Sequence, residues 1–382
     1  MDLTAEDALR LNVLLANELH AVRIDESSMT VYGLSPQGET VVRLNPNCRD
    51  ELYLKRVREL FSSQVLGSPG GYPVYLKRWT RMGQARNSES LEKLLLLGEP
   101  EAVVAVVHSP GLDSELARRA WWAMPCADNA RRLLQQAPIA AGPMGPVLAE
   151  YLIEFLPFEE SHQAIIDSIR LVLQPGLIDA GARDRLWVRG RHKNTYYVGF
   201  LRAIPDELPL EAAPHPLWPA HGERLQALAA GGNAVAGLLG RVLDAPGQAF
   251  LETVRRALRK PNNQDVVVEL LESIRQYFLA AAYSACPAAW PQEPEQLLEQ
   301  AEQRLAGRLD DDPCGDALRE LQETLPELAP QLQALCALAA VSERLVTPIF
   351  ARTDAIGSLM RRKIAPVTEP LFEQLGRLQA AG

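Results

Sequence analysis

From Ser88 onward the apolar residues recur at the spacing of a buried helix face, and this period constrains the fold more than any other feature of the sequence. Stripes fall around 89–97, 99–108, 112–124, 127–136, 144–156, 159–174, 179–189 and 193–203, punctuated by Gly98, Pro110-Gly111, Pro125 and Pro175-Gly176. Short links between such helices make them antiparallel neighbours, and a run of pairs buries its core between consecutive units. The expected fold is therefore mainly α. An α/β module over 1–86 precedes an irregular helical-repeat region over 87–206, of the HEAT-like solenoid kind but without a strict sequence period. The acidic, Pro-rich stretch Glu207 to Pro219 reads as a connector, after which helices resume near Gly222 and fill 220–284 with breaks at Gly231-Gly232 and Pro246-Gly247. A second loop, Ala285 to Pro294, leads into a C-terminal helical bundle over 292–382.

The first 85 residues read differently. Thr4 and Asp7 have the spacing of a capping box, with Leu9, Leu11, Leu14 and Leu15 forming a helix after it. The β-branched segments Ala21–Ile24, Met29–Tyr32 and Thr40–Leu44, with a turn at Ser35-Pro36-Gln37-Gly38, predict a small antiparallel sheet. A second helix is expected over Arg49 to Phe61, a break at Gly67 to Gly71, and a returning strand over Tyr72 to Trp79.

Charge and cysteine content narrow the function classes. Lys and Arg number 39 against 48 Asp and Glu, a net charge of −9, and a negative field opposes nonspecific approach to DNA or anionic lipid. The longest apolar runs, such as Ala102–Val107 and Ala334–Val341, fall far short of the roughly 20 residues of a membrane span. Asp2, Glu6 and Asp7 stand where a secretory signal places Lys or Arg, so a cytoplasmic location is expected, with no membrane or DNA partner. Five cysteines, Cys48, Cys126, Cys286, Cys314 and Cys336, form no CxxC pair, and reduced thiols are expected.

Catalytic signatures are missing from the sequence. Gly67 to Gly71 lacks the Gly-Lys-Ser/Thr ending of a phosphate loop, and Pro73 removes a backbone donor. His20, His108, His162, His192, His215 and His221 include no helical metal pair, and no Gly-x-Ser-x-Gly elbow presents a nucleophile. Asp310-Asp311-Asp312 lacks the alternation of a calcium loop and reads as an acidic entry to a helix. No catalytic, metal or cofactor residue is assigned.

Two basic segments stand out. Lys77, Arg78, Trp79 and Arg81 sit on the expected strand, suited to a polyanion or an acidic partner, or to a solvated edge that resists aggregation. Arg183, Arg185, Trp187, Arg189, Arg191, His192, Lys193, Tyr196, Tyr197, Phe200 and Arg202 form the densest basic stretch. Arginine beside aromatic rings offers both charge-assisted bonds and stacking faces, which suits RNA or an acidic protein surface. Trp187 and Phe200 equally suit a helix core, and the arginines a solvated face. Cys126 follows Pro125 and Cys314 follows Pro313 at expected helix starts, where free N–H groups stabilise a thiolate, so both are candidate reactive thiols or persulfide carriers. Cys336, among Leu332, Leu335, Ala337 and Leu338, reads as an inert core thiol.

Three phrases carry a family resemblance: Leu11-Asn12-Val13-Leu14-Leu15 running into Ala21-Val22-Arg23-Ile24-Asp25-Glu26, then Val65-Leu66-Gly67-Ser68-Pro69-Gly70-Gly71-Tyr72-Pro73-Val74-Tyr75, then Arg118-Arg119-Ala120-Trp121-Trp122-Ala123-Met124-Pro125. They resemble the DsrS family, cytoplasmic accessory proteins encoded with the dissimilatory sulfite reductase genes of sulfur-oxidising bacteria. The resemblance implies a setting in the oxidation of stored sulfur and a regulatory or assembly role there, and carries no catalytic motif to any residue. The expectation is a noncatalytic interaction protein with a protein partner. A cysteine persulfide carrier and an RNA-binding regulator are the alternatives.

Overall fold

Thr4 begins the first helix, α1 (Ala5–Ala16), by accepting a hydrogen bond from Asp7 N on its hydroxyl. The reciprocal half of the expected capping box does not form. The buried Asp7 carboxylate instead accepts from Asn45 N at 2.7 Å and from the Tyr53 hydroxyl at 2.5 Å, tying the helix start to two later segments. These bonds belong to a computed structural model, in which residues 3–73, 88–283, 290–309 and 311–380 are described.

The sheet forms where β-branched residues predict it. Strands β1 (Ala21–Asp25), β2 (Thr30–Ser35) and β3 (Gly38–Arg43) pair antiparallel in the order β1-β2-β3, with Val22 opposite Gly33 and Val31 opposite Val42. Asp25 holds the first turn by accepting from the Ser27 and Ser28 hydroxyls, and its carboxyl is lowered to about 2 by those bonds. Helix α2 (Asp50–Leu66) completes the module, and Leu11, Leu14, Val22, Val31, Val42, Tyr53, Leu54, Val57 and Phe61 bury against one another. The expected strand at 72–79 is corrected at its start, since Tyr72 and Pro73 lie in a helical turn; residues 74–79 fall outside the described residues.

The helices expected from the apolar period follow: α3 (Ser88–Leu95), α4 (Pro100–Val107), α5 (Ser114–Ala123), α6 (Ala127–Leu134) and α7 (Met144–Phe155). Asp113 caps α5 by accepting from Leu116 N. The α/β module rests on this run: Trp122 of α5 donates to Glu39 at 3.0 Å, while the Arg23 guanidinium lies over the rings of both Tyr32 and Trp122. Residues 1–157 with 174–178 make one compact unit, and 158–173 with 179–382 a second. The α/β module, which has its own core, and the first helices thus belong to one compact unit.

The second unit contains α8 (His162–Val172), α9 (Ala180–Arg189), α10 (Thr195–Ala203), α11 (Trp218–Ala230), α12 (Ala234–Leu243), α13 (Ala245–Arg259) and α14 (Gln264–Tyr277). Beyond the second loop come α15 (Pro294–Leu305), α16 (Gly315–Thr324), α17 (Ala329–Ala339) and α18 (Gly357–Leu378). Helix α11 begins at the end of the expected connector, and α12 gives way to α13 at Asp244, beside the expected break at Pro246-Gly247. Pro219 and Pro246 each sit in a first turn, which has no intrahelical use for their missing N–H.

One apolar core runs from Ile166 of α8 to Leu378 of α18, so the segments 220–284 and 292–382 share a core. Helix α17 is mostly apolar and is buried from Ala334 to Ala339, where neighbours enclose it. Buried Gln248 donates to Val242 O and Leu378 O and accepts from Ala380 N, which fastens the end of α18 to the start of α13. Among the described residues the chain is thus mainly helical with one small N-terminal sheet. No helix of those residues is long and apolar enough to cross a membrane.

Candidate polyanion-binding corner

The turn between α9 and α10 is where the densest basic stretch folds. Asp179 caps α9 by accepting from Ala182 N, and the helix ends at Gly190, where the chain turns sharply into α10. Gly190 is needed for close approach: a Cβ there would stand 2.4 Å from the Tyr197 ring. The aromatic residues of the stretch form a core. Trp187 packs against Tyr197 and Phe200 at centroid distances of 4.6 and 5.1 Å, and Trp187, Tyr196, Tyr197 and Phe200 are all buried. The stacking faces expected for bases are therefore not presented to solvent.

The cations divide into spent and free. Arg183 faces Glu207 at 3.9 Å, Arg202 lies between Glu269 and Glu272 at 3.5 and 3.6 Å, and Lys193 donates to the Glu159 carbonyl. Arg185, Arg189 and Arg191 are exposed and have no ion pair among the described residues.

Tertiary packing adds cations that the sequence reading did not join to this stretch. Asn194 donates from Nδ2 to Lys260 O at 2.8 Å and to Ala257 O at 3.4 Å, fixing the α9–α10 turn against the C-terminal end of α13. That end carries Arg256, Arg259 and Lys260, all exposed and without an ion pair among the described residues. Arg256 lies over the Tyr197 ring, 5.2 Å from its centroid. Burial raises the Tyr197 pKa, with Arg256 and Arg191 pulling it the other way. The sequence signal was available: Arg256 and Arg259 stand in the last turn of an amphipathic helix and Lys260 at its C-cap, where cations complement the helix dipole.

Beneath the corner, His162 Nδ1 lies 2.8 Å from the Thr195 hydroxyl. Burial, and then Lys193, hold this imidazole below its ordinary pKa.

The other candidates separate. Lys77, Arg78, Trp79 and Arg81 lie outside the described residues, as does Cys286. Cys126 and Cys314 do stand at the N-caps of α6 and α16, half-buried and without a side-chain cap bond. The expected depression of both thiols is corrected at Cys314. Burial pushes that thiol up, and its sulfur donates to Ala280 O and Ala282 O, which favours the protonated form. Cys336 is pushed up to about 12 by burial, as an inert core thiol requires. Asp312 lies in the loop that enters α16, where its side chain forms a buried ion pair with Arg304 at 2.8 Å and accepts from Cys314 N. Among the described residues no group of His, Cys, Asp or Glu is arranged to hold a metal ion.

A cavity in the second unit, lined by Arg202, Arg241, Ser273 and Tyr277, is electrically balanced. Arg241 faces Asp206 and donates to Tyr277 O, and the Tyr277 hydroxyl donates to Asp206. Comparison with protein-family models, curated proteins and solved structures gives no match.

Proposed function

We propose that this chain is a noncatalytic interaction protein that takes an acidic protein surface at the corner formed by the α9–α10 turn and the end of α13. The carrying observation is the set of six exposed cations without ion pairs among the described residues, Arg185, Arg189, Arg191, Arg256, Arg259 and Lys260, in a chain whose net charge is −9. Exposed charges of one sign attract an opposite surface and raise the rate of encounter. Buried aromatics favour an acidic protein over single-stranded RNA, whose sequence-tolerant binding relies on exposed stacking faces. The raised Cys314 pKa weighs against sulfur transfer at that residue.

The DsrS resemblance supplies the setting of the proposal: a cytoplasmic accessory or regulatory protein in the oxidation of stored sulfur. The helical-repeat arrangement belongs to the same proposal, supported by the short links between successive helices from α3 to α7.

The test is fluorescence anisotropy with labelled poly-L-glutamate and with labelled homopolymer RNA across a salt series. The expected result is salt-sensitive binding of poly-L-glutamate that Arg189→Glu with Arg191→Glu abolishes. Equal binding by the double variant overturns the proposal. Tighter binding of RNA, lost in the same variant, moves the assignment to an RNA regulator.

A further inference from the structure

Tyr197 is only 1% exposed, and its hydroxyl is fully enclosed without a hydrogen-bond partner among the described residues. A buried hydroxyl in that state is uncommon, because losing water without gaining a bond is unfavourable. This one sits inside the basic corner. Its ring is clamped by Gly190 on the turn and Trp187 on α9, and the Arg256 guanidinium covers it. Arg191, exposed, directly follows the Gly190 that lies against the ring. Three segments of backbone thus meet at the Tyr197 ring: α10 itself, the turn that carries Arg191, and the end of α13 that carries Arg256.

We propose that this point is a recognition site for a phosphate monoester, with the Tyr197 hydroxyl donating to one oxygen and Arg191 and Arg256 to the others. A tetrahedral oxyanion offers oxygens in several directions, matching donors that approach from separate sides, whereas a carboxylate offers two in one plane. In the proposed complex the exposed Arg256 side chain leaves the ring face and closes over the anion. Lys193 and the exposed cations Arg259 and Lys260 lie beside the same turn and add positive charge around the site. The site deepens the proposed function, on which it rests, by naming the group the partner carries: a phosphorylated side chain within an acidic segment.

The experiment is calorimetric titration of the full chain with inorganic phosphate, and with an acidic peptide in phosphoserine and serine forms. Tyr197→Phe keeps the ring against Gly190 and Trp187 and removes only the hydroxyl, so its thermal midpoint should equal or exceed the wild type's, as expected when an unpaired polar group is deleted. The expected result is that the phosphopeptide binds more tightly than its serine form, and that Tyr197→Phe and Arg256→Gln each weaken it about tenfold, the scale of one hydrogen bond to a charged group. The Tyr197 ring-carbon resonance, assigned by its loss in Tyr197→Phe, should shift when phosphate is added.

Binding of inorganic phosphate as tight as that of the phosphopeptide would assign the site to the free ion and overturn the partner assignment. Unchanged affinity in Tyr197→Phe, or no binding of either phosphate form by the wild type, overturns the site. If poly-L-glutamate binding is still lost in the Arg189, Arg191 double variant, the acidic-surface function survives that failure. If poly-L-glutamate binding is unaffected by the double variant while Tyr197→Phe still weakens phosphate, the function fails and the site stands.

Discussion

Arg304 and Asp312 allow a sharp prediction about the second unit. Their side chains are 1% and 5% exposed and paired in a fork, Nε to Oδ2 at 2.8 Å and Nη2 to Oδ1 at 3.2 Å. The third direction of the guanidinium is taken by Ala281 O at 2.7 Å, so all three nitrogens donate. Asp312→Asn preserves the size and one acceptor oxygen but leaves a buried cation without its counter-charge, a change that costs about 3–5 kcal/mol. For a unit of 150–250 residues each kcal/mol shifts the thermal midpoint by about 2–4 °C, so the loss should be about 10 °C. The paired replacement Arg304→Met with Asp312→Leu removes both charges and should cost less than the single change, because neither ion is left alone. Thermal unfolding followed by circular dichroism, with urea titration as a second measure, decides the matter. A single variant within about 2 °C of wild type, or a double variant less stable than the single, would refute the assignment of this pair as a desolvated and mutually dependent ion pair.

Other outcomes follow from the same structure. Gly199→Ala places a Cβ 2.5 Å from the Ile169 Cβ and Cγ2, and the resulting overpacking of α10 on α8 should lower stability by about 1–3 kcal/mol in urea titration. Titration with a thiol reagent near neutral pH should leave Cys314 and Cys336 unlabelled until the chain is unfolded; labelling of Cys314 at the rate of free cysteine would reinstate it as a carrier thiol. Burial holds His162 and His215 below their ordinary value of 6.5, so the unfolded chain takes up protons first. Their contribution is full above pH 6.5 and is lost as the pH falls from there toward the lower folded values. The urea midpoint should therefore drop between pH 7 and pH 5, and drop less in His162→Gln with His215→Gln. An equal drop in that variant contradicts the assignment.

The helices were legible because each needs little more than its own sequence. A stripe at helical spacing, an Asp or Ser cap and a Gly or Pro boundary act over a few residues, and α5, α8 and α9 begin at Asp113, Ser161 and Asp179 as that local chemistry dictates. The sheet was legible for the same reason, since its antiparallel neighbours are close in sequence and joined by tight turns. Half of the candidate site was equally local: the cations of the α9–α10 stretch follow one another along the chain.

What tertiary structure alone decided is which side chain faces which neighbour across long separations. Asp7 has the spacing of a cap partner, yet it turns inward because Tyr53 and Asn45 supply better donors from elsewhere in the module. Cys314 has the position of an activated thiol, but burial raises its pKa and outweighs the Arg304 charge that would lower it. The basic corner exists because Asn194 fastens one turn to the end of a helix whose carbonyls lie 63 and 66 residues further along the chain. Periodicity records the face a residue takes toward its own helix. Which distant charges then meet there depends on packing, because electrostatic neighbourhood is a property of distance in space and carries no signature in local sequence.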